Sequence, residues 1–230
     1  MTSLEDAVVA RIKKAGETYE ILVDAEQAYK YKAGDQVDLS DVLASEFVFK
    51  DAAKADKAAE ENIQKFFQTT EITEIAKIIL EKGEIQLTAE KKKQMLEAKR
   101  KQVVATIARN AINPQTKTPH PPERISKAMD EAKVHIELNK SAKEQVEAVM
   151  KAIRPIIPIK FETVQLAVKI PGMHAGKLYH MLREYGSVKK EEWKGENQYV
   201  VMEMPGGLQD EFYSQLNNRC HGEAEVKKID

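Results

Sequence analysis

The hydrophobic pattern changes period twice along the chain. Near the N-terminus two β-rich runs, Ala7-Val8-Val9-Ala10-Arg11-Ile12 and Thr18-Tyr19-Glu20-Ile21-Leu22-Val23, flank Ala15-Gly16. Glycine permits the tight turn between them, so the stretch predicts a hairpin. Asp24 is placed to cap a short helix through Tyr31, stopped at Gly34. Phe47-Val48-Phe49 reads as a third strand and 59–68 as a helix. A second helix covers 72–82, with Ile75, Ile78 and Ile79 on one face and Gly83 ending it; 84–87 closes the segment as a strand. The prediction for residues 1–86 is a small α+β domain.

The period then becomes helical. Residues 89–112 predict one long helix whose buried stripe is Leu96, Val103, Ile107 and Ala111, with Lys91, Lys101 and Arg109 on the opposite face. Those three span roughly 27 Å at 1.5 Å per residue, enough to track several phosphates. Ile125, Ala128, Met129, Ala132 and Ile136 mark a second amphipathic helix. A third carries Ala142, Val146, Val149, Met150 and Ile153 inward, with Ser141 and Glu144 spaced as a capping box. Residues 87–160 are therefore expected to form a three-helix bundle, ended by Pro155 and Pro158.

From 161 to 230 the order reads strand, helix, strand, strand, helix, strand, that of a ferredoxin-like βαββαβ domain. Val164, Leu166, Val168 and Ile170 alternate with polar neighbours, as suits a sheet covered on one face. The helices are expected at 173–185 and 208–217, with a hairpin turn at Lys194-Gly195-Glu196-Asn197. The fold class predicted is an α+β multidomain protein with boundaries near 86 and 160.

Charge sharpens this division. The net charge of −1 conceals 11 Lys+Arg against 18 Asp+Glu in 1–86, 16 against 8 in 87–160, and 9 against 11 in 161–230. A middle segment at +8 between two acidic ends points to a polyanionic partner. The candidate phosphate contacts there are Lys91, Lys92, Lys93, Lys99, Arg100, Lys101, Arg109, Lys117, Arg124, Lys140 and Lys143. Arg11, Lys13 and Lys14 form a second basic cluster at the first hairpin. Such contacts position a protein without reading bases, which suits a structured RNA recognised by shape. No RNP-type aromatic string is present, which disfavours a dedicated single-strand stacking platform.

No catalytic constellation emerges. His120, His135, His174, His180 and His221 show neither H-x-x-x-H nor H-E-x-x-H spacing, and Cys220 is the only cysteine, so neither a metal site nor a cofactor is expected. Gly172-Met173-His174-Ala175-Gly176-Lys177 is one residue too short between its glycines for a phosphate loop, and Leu178 stands where Ser or Thr should hold magnesium. The acid pairs Glu60-Glu61 and Glu191-Glu192 have no basic partner arranged for proton transfer. No apolar run approaches the roughly 20 residues of a membrane span; a cytoplasmic protein is expected, and nothing demands more than a monomer.

One stretch joins the first two central helices: N-P-Q-T-K-T-P-H-P-P-E-R-I, from Asn113 to Ile125. Four prolines in thirteen residues fix φ and remove donors, so neither flanking helix can continue through. This string resembles the signature of the Shwachman–Bodian–Diamond syndrome protein (SBDS) family in its archaeal form. Residues 7–21 (A-V-V-A-R-I-K-K-A-G-E-T-Y-E-I) and 74–88 (E-I-A-K-I-I-L-E-K-G-E-I-Q-L-T) resemble the family's other recognisable stretches, in the same order. The resemblance implies three domains matching those derived above and a role in late maturation of the large ribosomal subunit. It further implies contact with ribosomal RNA (rRNA), and joint action with an elongation-factor-like GTPase to release an anti-association initiation factor. By position it would bring Arg11, Lys13 and Lys14 toward the subunit's active centre and set Lys117, Lys140 and Lys143 on an RNA-facing surface, while Asn110 and Thr118 stand where eukaryotic relatives carry lysine or arginine. The expected protein is a non-enzymatic adaptor. The residues alone leave two alternatives, a helix-turn-helix DNA-binding regulator and an RNA-processing protein.

Overall fold

In the computed structural model, which describes residues 6–14 and 16–229, β1 (Val8–Lys14) and β2 (Glu17–Val23) pair antiparallel from Val8↔Val23 to Lys14↔Glu17. Gly16 takes φ of 87°, a conformation that costs glycine little; Ala15, its expected partner in the turn, lies outside the described residues. Asp24 caps α1 (Ala25–Lys32) by accepting from the Gln27 amide at 2.9 Å. α3 (Glu60–Phe67) and α4 (Ile72–Lys82) fall where helices were expected. The third strand is shifted: β3 runs Phe49–Asp51, not from Phe47, and β5 shortens to Glu84–Ile85. Two pieces escaped the periodicity because they are too short to show one, α2 (Leu39–Val42), capped by Asp38, and β4 (Asp56–Lys57).

The sheet order is β4-β3-β2-β1-β5. Its core sets Ala10, Tyr19, Ile21 and Val23 with Ile75, Ala76, Ile79 and Leu80 of α4, all fully buried. Ile78, expected inward, is only partly buried, because Ala76 and Leu80 complete the inward face. A Cβ at Gly83 would stand 2.4 Å from the Arg11 carbonyl oxygen, so only glycine lets the end of α4 lie so close to β1.

By its internal contacts the chain divides into two units, Met1–Arg100 with Ile136–Ser141, and Lys101–His135 with Ala142–Asp230. α5 (Ala89–Asn110), started by Thr88 whose hydroxyl accepts from the Lys91 amide at 3.1 Å, contributes to both. In the second unit α5 buries Val103, Val104 and Ile107 and ends at Asn110, two residues early, because Ala111–Ile112 leave the helix to form β6. β6 pairs with β7 (Lys160–Phe161). α6 (Pro122–Glu131) has a proline at its first position, where no backbone donor is missed. It stops before Ile136, which was expected to continue its stripe. α7 (Ala142–Ile153) buries Val146, Val149, Met150 and Ile153 as expected.

β8 (Thr163–Pro171), α8 (Gly172–Tyr185), β9 (Ser187–Lys194), β10 (Asn197–Pro205), α9 (Gln209–Cys220) and β11 (Glu225–Ile229) complete the chain. Their antiparallel order β11-β8-β10-β9 is the ferredoxin-like arrangement. Val164, Leu166, Val168 and Ile170 meet Leu178, Met181, Leu182, Phe212 and Leu216 of the two helices in one core.

Candidate nucleic-acid interface

The proline corner closes on itself before it does anything else. The Asn113 amide donates to the Thr118 carbonyl at 2.9 Å, the Lys117 amide to the Asn113 carbonyl at 2.8 Å, and the Gln115 amide to Asn113 Oδ1 at 2.9 Å. Lys117 closes the loop in the left-handed region at φ 58°. His120 is buried and its Nε2 lies 2.9 Å from the Pro158 carbonyl oxygen; a carbonyl can only accept, so that nitrogen carries the proton. The corner is thereby fastened to the second proline segment, 155–158.

Lys117 leaves this loop toward Glu162, with Nζ 3.0 and 3.2 Å from its two carboxylate oxygens. Lys160 reaches the same carboxylate at 2.9 Å. Hydrogen bonds from Lys160 and then Lys117 hold the Glu162 carboxyl below its ordinary range. Its backbone is engaged too: the Glu162 amide donates to the Asn110 carbonyl at 3.3 Å and its carbonyl accepts from the Gly206 amide at 2.8 Å. Glu162 thus ties the end of α5 to the segment after β10. Beside it opens a groove of about 600 Å³ lined by Thr106, Asn110, Lys143, Val146, Phe161, Glu162, Thr163 and Pro205.

The expected cations are dispersed differently from the sequence picture. In the first unit, Arg11 lies along β1, 3.9 Å from Glu84; in the orientation that satisfies both groups, the Gln86 amide oxygen accepts from Arg11 Nε at 2.7 Å. Lys14 donates to the Phe66 carbonyl and lies over the Phe67 ring at 5.3 Å. Lys13 is exposed. Lys92 and Lys93 are exposed on α5, whereas Lys91, Lys99 and Arg100 are partly buried. Lys140 pairs with Glu137 at 2.6 Å. In the second unit Lys101, Arg109, Arg124 and Lys143 all face solvent, and Lys143 sits at the groove.

Sequence reasoning missed Lys160 and Phe161. Their signal was present, a cation followed by an aromatic directly after a proline segment, but it fell on a domain boundary and was read as linker. It also missed exposed Lys127, Lys151 and Arg154.

On the C-terminal sheet four lysines are neutralised locally: Lys169 by Glu225, Lys189 by Glu203, and Lys190 and Lys194 by Glu192. Among the described residues no group of three His, Cys, Asp or Glu side chains is arranged to hold a metal ion. His174 is buried and pairs with Glu223 at 3.1 Å, with His221 beside it. Among the described residues no helix is long and apolar enough to cross a membrane.

These features define an α+β multidomain chain whose central helices present cations around a proline corner. Family comparison agrees with that class throughout the chain: the model for the SBDS N-terminal domain matches residues 6–93, that for SBDS protein domain II matches 101–162, and that for the SBDS C-terminal domain matches 164–230. The chain belongs to the SBDS family. It is 49% identical to a ribosome maturation protein SDO1 homolog of Methanothermobacter thermautotrophicus over 100% of both chains. It is 39% identical to the SDO1 homolog of Aeropyrum pernix over 99% of this chain and 98% of that one. The human ribosome maturation protein SBDS is 27% identical over 98% of this chain and 90% of its own.

Proposed function

We propose that this protein is a ribosome maturation factor that binds rRNA of the large subunit through its basic central helices. In this reading it works in the cytoplasm as a monomer and without catalysis of its own. It acts as an adaptor with an elongation-factor-like GTPase in releasing an anti-association initiation factor. Its working parts are residues 1–86, 87–160 and 161–230, with Lys13 at the tip of the first hairpin available to an anionic channel.

The observation that carries the reading is the excess of eight positive charges in residues 87–160, with Lys101, Arg109, Arg124 and Lys143 facing solvent. Cations without carboxylate neighbours bind phosphate by releasing condensed counterions. They supply affinity and register without reading sequence, which fits a factor that recognises one folded RNA by shape. The names of the relatives, all ribosome maturation proteins, support the same target.

Binding to isolated large ribosomal subunits across a salt series tests this. The expected result is a log–log slope of about −0.7 to −0.9 per phosphate contacted. Charge reversal at Lys91, Lys101 and Arg109 should make that slope shallower and weaken binding; Lys117 is spared because it also holds Glu162. Salt-independent binding, or none, would refute the reading. GTP or ATP turnover that follows the purified protein would refute its non-catalytic part.

A further inference from the structure

Phosphate-contacting lysines need no aromatic surface, yet the groove of the second unit has one. Phe161 is 44% exposed, an unusual position for a phenylalanine held in a β-ladder opposite Ala111. Val146 and Pro205 line the groove with it, and Thr106, Asn110 and Thr163 supply polar groups. Asn110 donates its amide to the Thr106 carbonyl at 2.7 Å, which leaves its side-chain oxygen as an acceptor. The volume, about 600 Å³, lies within the ~300–1,000 Å³ range of small-ligand sites.

Charge selects the occupant. Lys143 lines the groove, and Lys117 and Lys160 converge on Glu162 in its wall. Three lysines against one carboxylate leave a positive rim around an apolar, partly aromatic floor. A ligand that complements both has a flat apolar group and attached negative charge. Around the exposed Tyr199 on the C-terminal sheet the positive charge is more evenly opposed, with Lys169, Lys190, Lys194 and Lys227 beside Glu192 and Glu225.

We infer that this groove holds one unpaired nucleotide of RNA, its base stacked on Phe161 and its phosphates among Lys143, Lys117 and Lys160. The inference rests on the RNA-binding reading and specifies the ligand of one part of that surface. Base–aromatic stacking tolerates any base, since every base has a π-face. The groove therefore adds affinity for a bulge or loop at a fixed place, without sequence selectivity.

The test compares Phe161→Ala, Phe161→Leu and Phe161→Trp, the last in a Trp193→Phe background so that the chain's single tryptophan reports from the groove. The probe is the isolated large ribosomal subunit. Phe161→Ala is expected to weaken binding roughly 5- to 150-fold while the salt slope stays unchanged, because no phosphate contact is lost. Phe161→Leu should behave like Phe161→Ala, since leucine keeps apolar bulk but has no ring. Phe161→Trp should bind as the parent does, with its indole fluorescence quenched by the stacked base. Parental affinity in Phe161→Ala or Phe161→Leu would overturn the inference. So would a blue shift of the new tryptophan without quenching, the mark of an apolar protein partner. If the wild-type chain fails to bind subunits at low salt, the RNA reading falls and takes the groove with it. Wild-type binding with unaffected Phe161 variants overturns the groove alone.

Discussion

Gly207 lies against the end of α5, and replacing it by alanine should loosen the join on which the groove depends. An added Cβ would stand 1.9 Å from the Ala108 carbonyl oxygen and 2.6 Å from the carbonyl carbon and oxygen of Arg109. These neighbours are helix backbone, so no side-chain rotation relieves the overlap. Gly207 is not among the residues with positive φ, so alanine is conformationally acceptable there and the penalty is steric. Reaching the 3.4 Å of ordinary van der Waals contact requires a displacement of about 1.5 Å. A shift of that size breaks the bond from the Gly206 amide to Glu162 and weakens the one from the Glu162 amide to Asn110. Two bonds at about 0.5–1.5 kcal/mol each, added to about 1–3 kcal/mol for overpacking, give a loss of about 2–6 kcal/mol, centred near 4. For a chain of this size that lowers the melting temperature by roughly 10 °C. Gly176→Ala is the matched control: no atom lies within 4 Å of its added Cβ, and inside α8 alanine should stabilise by about 0.5–1 kcal/mol. Thermal unfolding by circular dichroism reads both variants, and amide exchange at Glu162 and Gly206 localises the damage. A Gly207→Ala chain as stable as wild type, or one whose exchange protection at those amides is intact, would refute the reasoning. Because Asn110, Thr163 and Pro205 line the groove, the same variant should also bind large subunits more weakly.

Two further outcomes concern the N-terminal unit. Burial, and then the hydrogen bond to Glu17, push the Tyr19 phenol from 10.0 up to about 12. A raised pKa favours the neutral form, so this contribution is complete below pH 10 and is lost as pH rises through about 12. Tyr19→Phe should remove that part of the alkaline decline in unfolding midpoint, and an unchanged decline would refute the assignment. Ala55 is exposed and sits at φ 55°, so Ala55→Gly should stabilise by about 0.5–1 kcal/mol, the relief of about 1–2 kcal/mol of left-handed strain less about 0.5–1 kcal/mol of glycine entropy. A urea midpoint shifted downward would contradict this.

Most of the architecture was legible because it is written in period. The alternation at Val164, Leu166, Val168 and Ile170 set the inner face of β8, and the stripe Val146, Val149, Met150 and Ile153 set that of α7. What was illegible is what period cannot encode. β6 and β7 are two residues each, and their pairing depends on Ala111 and Phe161 meeting across fifty positions of chain. The Lys117–Glu162 bridge joins residues read as belonging to different domains. The lysines of α5 were legible as cations, but their burial was not: Lys91, Lys92 and Lys93 are consecutive, so about 100° of helix rotation separates each from the next, and they cannot share one face. At Arg11 the alternation put a cation within a strand, and the structure explains it by Gln86 and Glu84 rather than by free exposure.

The position of carboxylates, more than the number of lysines, decides where this chain can meet an anion. Exposed ion pairs contribute little stability, about 0–1 kcal/mol, but each converts a free cation into a dipole whose field decays quickly. The C-terminal sheet spends four of its lysines in this way, Lys169 and Lys189 against a neighbouring strand and Lys190 and Lys194 within their own. The segment 87–160 cannot, with 16 cations and 8 carboxylates. Glu162 stands just beyond that segment and recruits two of its cations, Lys117 and Lys160. Its carboxyl is held below its ordinary range, so at neutral pH it is ionised and competes with any arriving phosphate for Lys117. Among the described residues, exposed Lys101 and Arg109 have no such competitor within ion-pair distance. Their substitution by alanine should therefore flatten the salt dependence of subunit binding by about 0.7–0.9 each, and Lys117→Ala should flatten it by less. In a Glu162→Gln background the competition is gone, and Lys117→Ala should then approach the full effect. Equal flattening by Lys117→Ala in both backgrounds would mean that Glu162 does not restrain Lys117, and no flattening in either would mean that the corner lysine meets no phosphate.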